Sequence, residues 1–161
     1  MSDAGVLNLF LFLPLLGIAL LVAVPARNAA LVRTLSLAVS VVQFALIAWL
    51  YVRFDSRVAG LQFETRLPWI AAWGVSYQIG LDGYNVLLVL LTGFLGPLVV
   101  AGAFTAITKD VKLFYAMVFA VQFAMPGNFL AQHLFLFYVL WESMMIPMLF
   151  LIGTWGGARP L

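Results

Sequence analysis

Leu134-Phe135-Leu136-Phe137-Tyr138-Val139-Leu140-Trp141-Glu142-Ser143-Met144-Met145-Ile146-Pro147-Met148-Leu149-Phe150-Leu151-Ile152-Gly153-Thr154 is 21 residues long and holds one formally charged side chain, Glu142. As a helix rising about 1.5 Å per residue it reaches about 30 Å, the thickness of a bilayer's hydrocarbon core. Four further segments of 18 to 25 residues share this character, at 7–24, 34–52, 84–108 and 113–131, and none contains Asp, Glu, Lys or Arg. The whole chain agrees with them. Of its 161 residues 65% are hydrophobic and 9% charged, where a soluble domain carries about 45–50% and about 25%. The expected fold is an all-α membrane protein, a single domain over 1–161 with five transmembrane helices.

The same composition excludes several classes. Disorder does not fit such hydrophobicity, and a chain without cysteine has no disulfide framework and no cysteine-ligated metal. A formal charge of +2 with no basic cluster gives no footprint for nucleic acid. The segment 7–24 lacks the basic leader of a signal peptide, since Asp3 is the charge that precedes it, so it reads as a retained span.

Orientation follows from the basic residues. With five spans, the connection after the first, the connection after the third and the C-terminus share one side. That side holds Arg27, Arg33, Lys109, Lys112 and Arg159 against Asp110. The other side is dominated by the long segment 53–83, where Arg53, Arg57 and Arg66 are offset by Asp55, Glu64 and Asp82. The positive-inside rule then puts the N-terminus outside and the C-terminus in the cytoplasm. Segment 53–83 becomes a periplasmic loop whose Trp69, Trp73 and Tyr77 suit a membrane surface, and the alternation over 60–65 suggests a short hairpin there.

Soluble-enzyme motifs are missing: no Gly-rich phosphate loop, no Ser-centred nucleophile elbow, no His-Glu-x-x-His. One histidine and no cysteine leave too few ligands for zinc, haem or an iron–sulfur cluster in this chain. What remains is Glu142, near the middle of its span. A charge at the bilayer centre costs about 2.5–3.5 kcal/mol on insertion scales, and an acid there reads by default as a proton or ion handler. Low dielectric favours the neutral acid and a nearby Lys favours the carboxylate, so a moving partner charge would drive proton uptake and release. Pro147 leaves the Ser143 carbonyl beside the acid without its helix hydrogen bond, free to bind water. Tyr138, one turn earlier, is placed to hold the carboxyl through its phenol. The competing reading is a neutral acid that merely packs.

The other polar and helix-breaking positions read as structural. Pro14, Pro97 and Pro126 free the carbonyls of Phe10, Gly93 and Gln122, which suits kinks for packing. Gly93 and Gly96 permit close helix contact, and Gln43 and Gln122 suit interhelical hydrogen bonds. His133 lies nine residues before Glu142, about 180° around the helix and about 13 Å along it, so the two do not pair. It reads as an interfacial surface histidine.

The run 134–142 with Met145-Ile146-Pro147-Met148 and Leu151-Ile152-Gly153-Thr154-Trp155-Gly156 resembles the fifth transmembrane helix of chain M. Chain M is an antiporter-like proton-pumping subunit of NADH:quinone oxidoreductase, respiratory complex I. Trp73-Gly74-Val75-Ser76-Tyr77 and Gly80-Leu81-Asp82-Gly83 resemble the segment leading into that subunit's third helix. The resemblance covers roughly 7–157. It implies that Glu142 is the family's helix-5 glutamate, paired with a lysine two helices later, and that the loop before the third helix is periplasmic and carries a small hairpin. It also implies a multi-pass protein of the bacterial inner membrane, working with other membrane subunits of complex I. NADH, FMN, iron–sulfur clusters and quinone would belong to those partner subunits, with no cofactor and no redox site here.

Three departures accompany it. The family usually has Asp where this chain has His133. The family continues to about fourteen helices. After Trp155-Gly156-Gly157 it runs into a basic stretch and another helix, where this sequence reads Ala158-Arg159-Pro160-Leu161 and suggests an N-terminal fragment. Two other functions share the same features: a subunit of a multi-subunit cation/proton antiporter, which lacks NADH and quinone partners, and a membrane scaffold with one packed acid.

Overall fold

The structure, a computed structural model, describes residues 2–25 and 27–156. Arg159, counted above, and the end of the sequence lie outside them. The described residues hold five helices long and apolar enough to cross a membrane: α1 (Asp3–Ala23), α2 (Ala29–Arg53), α3 (Val86–Ala106), α4 (Val111–Leu130) and α5 (Leu134–Trp155). An antiparallel hairpin, β1 (Gln62–Ile70) and β2 (Val75–Leu81), joins α2 to α3.

Local chemistry sets the helix starts. Ser2 Oγ accepts from the Gly5 amide at 3.2 Å and Asn28 Oδ1 from the Leu31 amide at 3.1 Å, each an N-cap on donors that lack a helical partner. Asp82 Oδ1 accepts from the Tyr84 and Asn85 amides, both at 2.8 Å, ahead of α3. At one helix end the pattern reverses: Lys112 Nζ donates to the Val22 and Val24 carbonyls, both at 2.9 Å, placing a cation on the negative end of α1.

Helices α1 to α4 close into a four-helix bundle in which α1 touches α2 and α4, α3 touches the same two, and α2 meets α4 across the middle. Helix α5 lies outside the bundle, against α4. Two apolar clusters fill the interior. One gathers Leu7, Phe10, Ile47, Leu50, Val89 and Leu130 toward the hairpin, and the other Leu21, Val32, Val100, Tyr115 and Phe119 toward the opposite end. Close approach of α2 and α3 depends on Gly93, where a Cβ would lie 2.6 Å from Ile47 Cγ2. Leu16, Leu98, Val99 and Leu91 face outward and are half exposed, as a surface made for lipid requires.

The hairpin is longer than the alternation over 60–65 suggests, and its turn falls at 71–74. Its bend is a short 3₁₀ turn, Ala71–Trp73, closed by Gly74 at φ 65°, a value glycine reaches without strain. Leu67, Pro68 and Trp69 of β1 are exposed, and Pro68 belongs on such an edge strand. That exposure erases the in–out alternation a sequence reading relies on. The hairpin is tied down on the bundle by polar groups: Asn8 Nδ2 donates to Thr65 Oγ1 at 2.7 Å, the Tyr77 hydroxyl donates to Asn8 Oδ1 at 2.8 Å, and the Gln132 amide donates to the Gln78 carbonyl at 2.9 Å.

One end of the molecule therefore carries the hairpin, Asp3 paired to Arg53 at 3.1 Å, and the α4–α5 connection. The other gathers the α1–α2 connection, the α3–α4 connection and the end of α5. There Arg33 Nη2 donates to the Ile107 carbonyl at 2.9 Å and Trp155 Nε1 to the Lys109 carbonyl at 3.0 Å.

Burial pushes the Tyr77 phenol up to about 12, from about 10 in an unfolded chain. Folding thus favours the protonated phenol, which is also the form that donates to Asn8. This contribution is present in full below about pH 10 and is lost as the pH rises through about 12. Thermal unfolding of the purified chain is expected to show a decline over that interval that is smaller in Tyr77→Phe. An equal decline in Tyr77→Phe contradicts the assignment.

Candidate functional site

Four prolines stand inside the membrane-length helices: Pro14, Pro97, Pro126 and Pro147. Each lacks the amide that would bond the carbonyl four residues back, and hydrocarbon offers no water to replace it. Two of the freed carbonyls, Phe10 on α1 and Gln122 on α4, accept from one group. Gln43 Nε2, on α2, donates to both at 3.3 Å. Ser40 Oγ, one turn earlier, donates to Gln122 Oε1 at 3.3 Å. Gln43 is 2% exposed and Ser40 fully buried. The expected bridging role of Gln43 and Gln122 is thus met in detail, and its acceptors are the carbonyls that the prolines release.

Helix α5 is seated by Leu136, Leu140 and Pro147, its buried residues. Leu140 fits over Gly127 of α4, where a Cβ would lie 3.1 Å from Leu140 Cδ1 and 3.3 Å from Leu11 Cδ1. Glu142 comes two residues after Leu140, about 200° around the helix, and so faces away from the bundle. It is exposed, on a face shared with Tyr138 (59% exposed), Met145, Ile146 and Leu149. Its carboxylate is not turned into the four-helix bundle. The cause is the single packing stripe of α5: with Leu140 and Pro147 on α4, residue 142 has to point outward.

The other expected members of the site are placed as follows. Ser143 is exposed and its hydroxyl donates to the Val139 carbonyl at 2.7 Å, one turn back on its own helix. Pro147 is buried against the neighbouring helix while its freed acceptor, the Ser143 carbonyl, lies next to Glu142. Tyr138 stands one turn before Glu142 on the same face, but no hydrogen bond between the two occurs among the described residues. His133, part-exposed at the hairpin end, also caps α5: its Nδ1 accepts from the Phe135 amide at 3.3 Å. Its position directly before an apolar run was the available signal. Among the described residues no cluster of His, Cys, Asp or Glu has the makings of a metal site.

The comparisons with known proteins fit this architecture. No protein-family model matches the chain. It is 34% identical over 154 residues, 95% of its length, to an NAD(P)H-quinone oxidoreductase chain 4 of Thermosynechococcus vestitus. It is 32% identical over 146 residues to the NADH-ubiquinone oxidoreductase chain 4 of Arabidopsis thaliana, and 32% identical over 120 residues to the F(420)H(2) dehydrogenase subunit M of Methanosarcina mazei. The chain is a homologue of these chain 4 and subunit M proteins. It covers 91% and 74% of its own length against the second and third, and spans 29%, 30% and 24% of the three relatives' lengths. With five membrane-length helices and these homologues, it is a multi-pass membrane protein.

The seat of α5 gives a direct check. Gly127→Val forces side-chain atoms into Leu140 and Leu11 and is expected to cost about 1–3 kcal/mol, read as a lower unfolding midpoint. Adding Leu140→Ala should recover part of that loss. Independent, additive losses would show that Gly127 does not seat α5.

Proposed function

We propose that this chain is an antiporter-like, proton-translocating membrane subunit of NADH:quinone oxidoreductase, working in the bacterial inner membrane beside the other membrane subunits of complex I. Glu142 is its intramembrane proton-handling carboxylate. One observation carries this reading: Glu142 stands at the middle of a 22-residue apolar helix, on the side turned away from the four-helix bundle. Left against lipid, that charge costs about 2.5–3.5 kcal/mol. A facing protein helix bearing a cation removes the penalty and makes the acid useful.

The chemistry is that of a charge pair with a movable partner. When the cation is close, the carboxylate is the favoured form; when it withdraws, the acid is favoured and a proton is taken up. Tyr138, on the same face one turn away, is within a helical turn of the carboxyl and can orient it. The Ser143 carbonyl, freed by Pro147, offers an acceptor for water beside it. Electron transfer, with its NADH, FMN, iron–sulfur clusters and quinone, belongs to partner subunits. The similarity of the chain to chain 4 proteins of quinone oxidoreductases supports the assignment.

The orientation we infer puts the hairpin end in the periplasm and the end with Arg27, Arg33, Lys109 and Lys112 in the cytoplasm. That distribution of basic residues supports it. A membrane-impermeant thiol reagent added from outside should modify Ser56→Cys and spare Asn28→Cys. The reverse pattern overturns the orientation.

Glu142→Gln in a full-length chain, assembled in membranes, should abolish most coupled proton pumping while leaving assembly and electron transfer to an artificial acceptor intact. Glu142→Asp, which keeps the charge one methylene short, should retain part of the pumping. Full pumping by the Gln variant reduces Glu142 to a packing acid.

A further inference from the structure

The amide of Gln43 is bound to two helices at once, at the two carbonyls that proline has released. Pro14 frees Phe10 and Pro126 frees Gln122, and both accept from Gln43 Nε2 at 3.3 Å. An uninterrupted helix would use these carbonyls internally; in α1 and α4 they accept from α2 instead. Ser40 adds a second hold on Gln122 through its side-chain oxygen. Past Gln122, α4 continues with buried Pro126 and Gly127, and Gly127 is the floor under Leu140. Leu140 in turn stands two residues from Glu142. The direction of the last turns of α4 therefore decides where α5 lies and how Glu142 is presented.

We infer that Gln43 is a positioning residue for Glu142, acting through the proline-interrupted turn of α4 at Gln122 and Pro126 and the Gly127–Leu140 contact. The inference rests on the reading of Glu142 as the proton-handling group. Gln43 touches neither Glu142 nor any group exchanging protons. It holds the backbone on which the acid's helix is seated. Ionisable groups do not compete for this role: α4 brings Tyr115 and, in its first turn, Lys112, β2 brings Tyr77, and β1 reaches α5 through Trp69 against Phe135 and carries Glu64 and Arg66 at the membrane surface. Glu142 is the one Asp, Glu, Lys or Arg within α5.

The test uses the full-length chain assembled in its membrane complex, with Gln43→Leu, Pro126→Ala and the pair combined. Two quantities are read: the pH midpoint of coupled proton pumping, and the distance between spin labels at Val52 and Leu134, which reports α5 against α2. Gln43→Leu should move both, the midpoint by about one unit, a tenfold change in proton affinity. Pro126→Ala returns a backbone donor to the Gln122 carbonyl, so Gln43→Leu in that background should lose at least half of its effect. Gln43→Leu without change in either readout overturns the inference, as does full additivity with Pro126→Ala. A moved label with an unmoved midpoint overturns it too, provided that Glu142→Gln still loses pumping. If Glu142→Gln pumps fully while the label moves, it is the Glu142 reading that fails. Should Gln43→Leu not assemble, Pro126→Ala alone has to reproduce the shift in midpoint and distance, and failure to do so overturns the inference.

Discussion

Hydrocarbon offers no hydrogen bonds, and from that everything else in this molecule follows. Each backbone carbonyl within the membrane needs a donor from the protein, and an unmet one costs several kcal/mol. Helices meet the demand by themselves until a proline interrupts them. This chain interrupts four of its five membrane-length helices, leaving α2 alone free of proline. It is α2 that supplies the missing donor, through Gln43, to α1 and α4. The one proline-free helix thereby satisfies carbonyls that proline has released in two of the others.

That constraint explains why the polar residues sit where they do. Ser36, Ser40 and Gln43 are fully or almost fully buried along one side of α2, while the lipid-facing surface is Leu, Val and Phe. In water this would be an inverted protein; in a membrane, apolar surface contributes little to helix association, and small residues and hydrogen bonds take over. Gly93 beneath Ile47 and Gly127 beneath Leu140 are the small residues that let helices approach. At the membrane surface the ordinary rules return, with the hairpin tied to α1 by the Thr65–Asn8–Tyr77 chain of hydrogen bonds and Lys112 capping α1.

Much of this was legible in the residues. Apolar runs of membrane length announce the five helices, the basic residues sort into the two ends that the fold then separates, and the prolines name the carbonyls that Gln43 takes. The hairpin was harder to read because β1 buries neither face fully, which removes the alternation that marks a strand. His133 reads as an interfacial surface group, and its place ahead of an apolar run adds the cap that the structure shows. The direction of Glu142 was not legible at all. An acid in an apolar helix stands out in the sequence, but which side of the helix packs on the bundle depends on Gly127, Leu140 and Pro147, residues whose contacts no local pattern reveals.

The account turns on whether the outward face of α5 meets protein or lipid. A spin label at position 142 of the full-length chain in a bilayer, read by its collision rate with molecular oxygen, measures this directly. Oxygen concentrates among acyl chains, so the lipid-facing Leu98 supplies the high reference and buried Leu140 the low one. A rate at 142 close to that at 140 is the predicted result. A rate matching that at 98 contradicts it.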